Sequence, residues 1–311
     1  MNLKTTAKSF LLLVGLLLAS CASEPGPSSG WSGPQPAGEM VEPANHEASG
    51  LAASRRTADV FWTHNDSGGE PVLFAVNADG SRRGAVRIAG TSNFDWEDCA
   101  SFEKAGRAWL LAADIGDNFA TRSGCVLHVL AEPAADELKP DGELTRRADY
   151  SIHFVYEDGA RDCESVAVDP LEGFIYLLSK RNTPARLYRL PLQPAPADQP
   201  AVARFLGPVP HLPQPTAAQQ LIQTPTGALR GMPCAMDFAP DGSAALVLTY
   251  GDLLVFARAE GETWAAALAK VPLRLSPHNF DQSEGACFSS DARSILVCTE
   301  KSGAWVRYDR R

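Results

Sequence analysis

The chain has 311 residues and a formal net charge of −9, and 45% of its residues are hydrophobic and 21% charged. This composition is typical of a globular protein with one large domain or two smaller ones. The acidic balance argues against nucleic acid as a partner, and it is compatible with binding of a divalent cation.

The first 20 residues have the features of an export signal. Lys4 and Lys8 precede the apolar run LLLVGLLL, which is too short to span a bilayer comfortably. The run ends in LASC at residues 18–21, which resembles a bacterial lipobox in which Cys21 becomes the lipidated first residue; a plain secretory signal is the alternative. We therefore expect a lipid-anchored protein of the cell envelope, at the outer membrane if the host has two membranes, since Ala22 follows the cysteine.

Residues 21–40 are rich in proline, glycine and serine, and this composition predicts a flexible tether ahead of a folded domain at residues 41–311. An exported chain permits disulfides, and six cysteines beyond Cys21 admit fifteen pairings. No CxxC spacing indicates a metal site, so we expect a structural role for all six: Cys99, Cys125, Cys163, Cys234, Cys287 and Cys298.

A 19-residue pattern occurs five times without a gap. One copy is ESVAVDPLEGFIYLLSKRN from Glu164, another is EGACFSSDARSILVCTEKS from Glu284, and the others start at Glu47, Glu97 and Cys234. Each copy has a short alternating run, a polar turn and a β-rich apolar run, which together predict a β-hairpin. Hairpins that recur every 50 to 70 residues predict an all-β fold, a β-propeller of four-stranded blades.

The blade count and the closure of the ring follow from the spacing of the repeats. After the fifth copy only the strand-like run AWVRYD remains, so we expect an N-terminal strand from residues 35–46 to complete the last blade. Five blades are clear, and a sixth, degenerate blade near residues 205–230 is the alternative, since a blade needs about 40 to 50 residues. A β-sandwich would not explain the repeat.

Propeller geometry places two sets of segments on one face, which we call the mouth. One set leads into the innermost strands and includes NFDWED (93–98), RDCES (161–165) and SEGA (283–286). The other set follows the second strands and includes HNDSG (64–68) and DIGDN (114–118). Clustered hard oxygen ligands suit Ca²⁺. The candidate ligands are Asp66, Glu97, Asp114, Asp117, Asn118, Glu164 and Glu284.

Several side chains at the same face are candidates for chemistry. Lys180, Arg181 and Lys301 could hold a phosphate or stabilise developing negative charge. His64 is the candidate acid or base. The plain alternatives are that Asp, Asn and Gly only stabilise turns, and that the inner glutamates pair with neighbouring cations. No GxSxG, phosphate-binding loop or HExxH motif occurs.

Taken in order, HNDSG, DWED, DIGDN, DCES and SEGA resemble secreted bacterial β-propellers described as phytase-like or esterase-like, over residues 45–311. More distantly, they are similar to calcium propellers of the gluconolactonase, paraoxonase and strictosidine-synthase type. The resemblance implies Glu97, Glu164 and Glu284 as inner acids, with Asp117 and Asn118 as turn ligands of a catalytic Ca²⁺. Cys234 departs from the pattern, since it occupies the acidic position of the fourth repeat.

The sequence thus predicts a monomeric, lipid-anchored β-propeller with an acidic, Ca²⁺-binding mouth. The mouth would bind a small anionic or ester ligand, or a protein or glycan at the cell surface. The alternative function is calcium-dependent hydrolysis of phosphate or carboxylic esters.

Overall fold

The computed structural model describes residues 30–40, 45–194, 196, 199–300 and 303–311. The predicted export signal, Cys21 and Lys301 lie outside these residues. Among the described residues, no helix has the length and hydropathy needed to cross a bilayer.

The described chain is built almost entirely from short β-strands. The first eleven are β1 (Gln35–Glu39), β2 (Ala48–Ala53), β3 (Val60–Asn65), β4 (Val72–Asn77), β5 (Arg82–Ile88), β6 (Trp96–Lys104), β7 (Arg107–Asp114), β8 (Cys125–Ala131), β9 (Glu143–Arg146), β10 (Tyr150–Tyr156) and β11 (Cys163–Asp169). The next six are β12 (Phe174–Ser179), β13 (Ala185–Pro191), β14 (Ala201–Val209), β15 (Pro233–Phe238), β16 (Ala244–Thr249) and β17 (Leu253–Ala257). A short helix, α1 (Trp264–Leu268), precedes the last four, β18 (Leu273–Arg274), β19 (Ser283–Phe288), β20 (Ser294–Thr299) and β21 (Ala304–Asp309).

Twenty of these strands form five four-stranded antiparallel blades, and the outer strands β10 and β14 pair in parallel and join blades two and three into one eight-stranded sheet. In chain order, the blades are β2–β5, then β6, β7, β8 and β10, then β11–β14, then β15–β18, and finally β19, β20, β21 and β1. The five innermost strands β2, β6, β11, β15 and β19 contact one another in sequence, and β19 returns to β2. The ring is therefore closed, and the predicted β-propeller is confirmed.

The N-terminal strand closes the ring as predicted. Strand β1 pairs antiparallel with β21 and forms the outer strand of blade five. Trp31 precedes it, bridges to Arg310 and packs on Phe288 with ring centroids 6.4 Å apart. The propeller therefore begins near residue 31, and the last ten residues of the predicted tether belong to the folded ring. The buried Trp31 and the pairing of β1 with β21 hold them there.

The repeat predicts each innermost strand to within one residue, and the additional chain length forms no sixth blade in the described residues. Strand β9 pairs in parallel with β5, and it explains the long interval in blade two. Residues 205–230 contain the end of β14 and a loop with a short 3-10 helix, Gln219–Leu221. The alternative of a degenerate sixth blade is thus wrong for this segment.

Side chains link the innermost strands across the channel. Their inner edges have no further strand to pair with, and buried backbone groups need partners. Asp98 Oδ2 of β6 accepts hydrogen bonds from Val166 N of β11 at 2.8 Å and from Met236 N of β15 at 3.4 Å. Asp237 Oδ2 accepts one from Phe288 N of β19 at 2.9 Å. Asp98, one of the crowded acids of NFDWED, therefore has a structural role.

We predict that Asp98→Ala lowers the free energy of unfolding by about 3 to 5 kcal/mol, because several buried N–H groups lose their acceptor at about 1 to 3 kcal/mol each. Urea unfolding measures the loss. Asp291→Ala is the control, since Asp291 makes its hydrogen bonds in an exposed hairpin turn. Equal losses in the two variants would contradict the role of Asp98 in linking the innermost strands.

Candidate functional site

A polar cavity of about 210 Å³ lies at the mouth of the channel. It collects side chains from all five blades, from both the segments leading into innermost strands and the turns after second strands. Its lining consists of Asp66, Ser67, Asp95, Glu97, Asn118, Glu164, Lys180, Arg181, Tyr250, Gln282 and Glu284. Five carboxylates face two cationic side chains, so negative charge is in excess by three when all are ionised.

On one side of the mouth, cations compensate the carboxylates. Lys180 Nζ forms a buried ion pair with Glu164 and donates a hydrogen bond to Tyr250 Oη at 2.9 Å. Arg181 Nε pairs with Asp162 Oδ2 at 2.6 Å, and its Nη2 donates to Asn118. The plain alternative, in which inner acids pair with neighbouring cations, therefore holds for Glu164.

On the other side, three carboxylates meet without an ion pair to a described cation. One oxygen from each of Asp66, Asp95 and Glu97 lies within 4.8 Å of the other two. None of the three forms an ion pair with another described residue. Gly116 of DIGDN makes room for them, because a Cβ atom at this position would overlap Glu97 Oε1 and Asp95 Oδ2.

Burial raises the pKa values of three carboxyl groups of the mouth, Asp95, Glu97 and Glu284. Burial, followed by repulsion from Asp66, raises the pKa of Asp95 to about 6. Burial also raises the pKa of Glu284 to about 7. Burial and the charge of Glu164 raise the pKa of Glu97 well above its ordinary range. Negative charge at the mouth is thus costly unless a cation compensates it.

Three predicted site residues do not line the mouth cavity. Asp114 pairs with Arg122 at 2.7 Å. The carboxylate of Asp117 accepts hydrogen bonds from the backbone N–H groups of Thr121 and Arg122, each at 2.8 Å, and stabilises its own turn. His64 is fully buried, and its Nδ1 lies 2.8 Å from Asn65 O.

The physical reasons for these corrections differ. Local partners hold Asp114 and Asp117, so their oxygens are not free to meet the other acids. His64 packs edge-to-face on Trp96 with ring centroids 5.7 Å apart. Burial lowers the pKa of His64, so the ring is neutral near pH 7. We therefore assign His64 to packing between blades.

Four residues that line the cavity were not among the candidates predicted from the sequence: Ser67, Asp95, Tyr250 and Gln282. Asp95 lies in the predicted acidic cluster, and only the position Asp162 repeats it. Tyr250 belongs to TYGD, the turn of blade four, and Gln282 donates to Glu284 Oε1 at 3.1 Å. Their position at the ends of the repeats could have indicated that they lie at the mouth. Their polar side chains alone did not distinguish them from ordinary turn residues.

All six cysteines of the described residues are buried free thiols. Cys234 lies at the mouth, with its Sγ within 4.8 Å of an oxygen of both Glu164 and Glu284. It donates a weak hydrogen bond to Met232 O at 3.4 Å. Burial, followed by the charge of Glu284, raises the pKa of this thiol well above its ordinary range, so it is protonated.

No family model matches this chain, and no curated protein does. Among solved structures, the Neurospora crassa Pan2 WD40 domain matches at 10% identity and a TM-score of 0.36, covering 85% of this chain and 63% of that one. This chain thus spans less than two thirds of the Pan2 chain.

Two further solved structures match. One is a nidogen/laminin complex, at 11% identity and a TM-score of 0.44, covering 82% of this chain and 73% of that one. The other is XC5397 from Xanthomonas campestris, described as a gluconolactonase, at 9% identity and a TM-score of 0.44, covering 90% and 95%. Because all three TM-scores are below 0.5, the β-propeller fold is assigned from the strand topology of this chain alone.

We predict that Glu284→Gln changes how stability depends on pH. The pKa of Glu284 is about 7 in the folded protein and 4.5 ordinarily, so between these values the folded state binds the additional proton. The wild type should therefore lose stability relative to the variant, on the order of 1–3 kcal/mol, as the pH rises through this window.

Urea unfolding of both proteins in EDTA measures this difference. Burial lowers the pKa of His128 and of His278 to about 4, and such histidines favour the folded state as the pH rises. Both proteins contain these histidines, so their effect cancels in the difference. A difference that does not vary with pH would contradict the raised pKa of Glu284.

Proposed function

We propose that the mouth binds Ca²⁺ through the carboxylates of Asp66, Asp95 and Glu97. The observation that carries this proposal is their convergence, with one oxygen of each within 4.8 Å of the others. Ca²⁺ binds oxygens at about 2.3 to 2.6 Å, so two ligands of one ion are at most about 5 Å apart. Water can complete the six to eight oxygens that the ion prefers.

The chemistry of these donors supports a hard cation. All three are carboxylates, and their negative charges otherwise repel one another in a partly buried position. The close approach of Gly116 also leaves space for two of them to lie side by side. The proposed ligand set differs from the one predicted from sequence, because it adds Asp95 and omits Glu164, which already pairs with Lys180.

The ligand of the mouth would be a small anionic or ester group. Lys180 and Arg181 line the cavity beside the proposed ion, so three positive centres would face the same space. A volume of about 210 Å³ favours a small group over a folded protein or a glycan chain. Ligand binding is therefore the function that the geometry supports best.

Hydrolysis of a phosphate or carboxylic ester is the second candidate. The observation that favours it is Glu284, a cavity-lining carboxyl group with a pKa of about 7. Such a group can accept a proton from water at neutral pH. Lys180 and Arg181 would stabilise negative charge on the reacting group. When bound, Ca²⁺ would supply polarisation of the scissile oxygen.

We predict that Glu97→Gln weakens Ca²⁺ binding more than about tenfold, because it removes a charged ligand. Isothermal titration calorimetry measures the affinity, and melting in EDTA and in Ca²⁺ gives a second readout. Glu47→Gln is the matched control, since Glu47 occupies the same repeat position but is exposed. Absence of Ca²⁺ binding by the wild type, or equal effects of both substitutions, would refute the site.

Turnover of aryl phosphates and aryl esters in Ca²⁺ and in EDTA tests the second candidate. Glu284→Gln should lower kcat by roughly 10²- to 10⁴-fold, the usual contribution of a general base. If the Ca²⁺-loaded wild type binds its ligand and turns over none of these substrates, the protein is a binding protein and not a hydrolase of this class.

We also propose that lipid on Cys21 anchors the protein in the cell envelope. The support is the LASC sequence at residues 18–21, after a short apolar run. Cys21→Ser should move the full chain from the membrane fraction to the soluble fraction of the host. If the variant stays with the membrane, the anchor is wrong.

A further inference from the structure

A larger cavity, of about 630 Å³, lies at the end of the ring opposite the mouth, and we call it the far cavity. The ends of the first strands and the turns that follow them meet there. Each of the five blades contributes lining residues, among them Arg55, Glu103, Pro170, Asp241 and Ser290. Sites for organic ligands have volumes of about 300 to 1,000 Å³, so the far cavity has the size of such a site, whereas the mouth cavity, at about 210 Å³, is smaller.

Much of the lining of the far cavity is apolar and is held in place by packing. Trp264 of α1 stacks on Phe238 of β15, with ring centroids 3.6 Å apart and ring planes 3° apart. Trp264 Nε1 also donates to Asp169 Oδ2 at 2.8 Å. Leu171 lines the cavity from a turn and is 94% exposed, so its side chain has apolar surface left to cover. Burial of such surface favours a ligand that has apolar groups.

Two arginines line the far cavity, and they differ in their partners. Arg258 forms ion pairs with Asp169 and Glu172. Arg55 forms no ion pair with a described residue. Its Nε donates to Ser101 O at 3.3 Å, and its Nη1 is buried without a hydrogen-bond partner in the described part of the chain. Arg55 is therefore the lining cation that has hydrogen bonds left to donate.

The acid whose charge interacts with Arg55 inside the channel is Asp237. Both oxygens of Asp237 already have backbone partners, since Oδ1 accepts from Phe238 N and Oδ2 from Phe288 N, each at 2.9 Å. A buried donor without an acceptor is unfavourable, and more so when it is charged. A carboxylate matches the planar fork of a guanidinium with two parallel hydrogen bonds. Arg55 therefore favours a ligand that has a carboxylate.

The exposed part of the lining carries the opposite charge. Glu103, Asp241 and Glu260 line the cavity, are exposed, and form no ion pair with any residue that the structure describes. Asp241 and Glu260 belong to blade four, which is not a neighbour of blade one, the blade of Arg55, in the ring of five. Exposed carboxylates attract a cationic group and repel a ligand that is only anionic. The cavity therefore favours a ligand whose ammonium and carboxylate groups lie apart.

We propose that the far cavity binds a short apolar peptide with free termini. Its C-terminal carboxylate would accept hydrogen bonds from Arg55, its N-terminal ammonium group would face the exposed carboxylates of blade four, and its side chains would cover the apolar lining. A single amino acid carries both charges on one carbon atom, whereas an extended peptide separates them by about 3.3 to 3.6 Å per residue. This site is separate from the mouth and involves no Ca²⁺, so it does not depend on the proposed function.

Three forms of one tripeptide test the site on the full chain in EDTA: trileucine, its C-terminal amide and its N-acetyl form. We expect calorimetry to show that the wild type binds trileucine roughly tenfold more tightly than either blocked form, because each blocked form lacks one of the two charges. If the wild type does not bind trileucine, or binds either blocked form as tightly, the proposal is wrong. This comparison needs no variant, so it is valid even if a substitution disturbs folding.

Two variants assign the two ends of the peptide. Arg55→Gln should remove the advantage of trileucine over the amide, and Arg56→Gln should keep it, since Arg56 is exposed and does not line the cavity. The double variant Asp241→Asn, Glu260→Gln should remove the advantage over the N-acetyl form. Both of these side chains are exposed, and asparagine can still accept the hydrogen bond that Ser243 N donates at 3.0 Å. Variants that melt like the wild type and keep both advantages would overturn the proposal.

Discussion

The structure depends on the hydrogen bonds made by the backbone groups at the inner edges of the innermost strands. No further strand pairs with these edges. Side chains from neighbouring blades supply the missing partners: Asp98 and Asp237 accept from backbone N–H groups, and Ser49 Oγ donates to Glu97 O at 2.8 Å. These bonds hold five inner strands in one register around the channel. The segments that lead into the strands, and the acids that they carry, are therefore brought to one end of the ring.

Charge divides that end into two parts. Lys180 forms an ion pair with Glu164 on one side, whereas Asp66, Asp95 and Glu97 meet without an ion pair to any described residue. Removing carboxylates from water and placing them together is unfavourable, and a bound cation offsets this cost. This difference in charge is why we propose the metal ion on the side of blades one and two, and the small anionic ligand on the side of Lys180.

The fold could be predicted from the repeat, because an alternating run, a turn and an apolar run follow one another at the same spacing within all five copies. Each copy therefore strengthens the prediction of a hairpin in the others. The site was less predictable, because DIGDN and HNDSG look alike in sequence. Arg122 captures Asp114, and the local turn uses Asp117, while Asp66 of HNDSG stays at the cavity. Which of these acids reaches the cavity depends on the geometry of each turn and on Arg122, which follows DIGDN in the sequence. The predicted end of the tether, at residue 40, lies inside the folded ring for a similar reason. The packing of Trp31 depends on Phe288, which is distant in the sequence.

The most direct test of the account is a crystal structure of the protein in Ca²⁺, with anomalous data collected at long wavelength. The account predicts one anomalous peak at about 2.3 to 2.6 Å from an oxygen of each of Asp66, Asp95 and Glu97. A mouth without such a peak, in which these three carboxylates bind only water or protein cations, would contradict it.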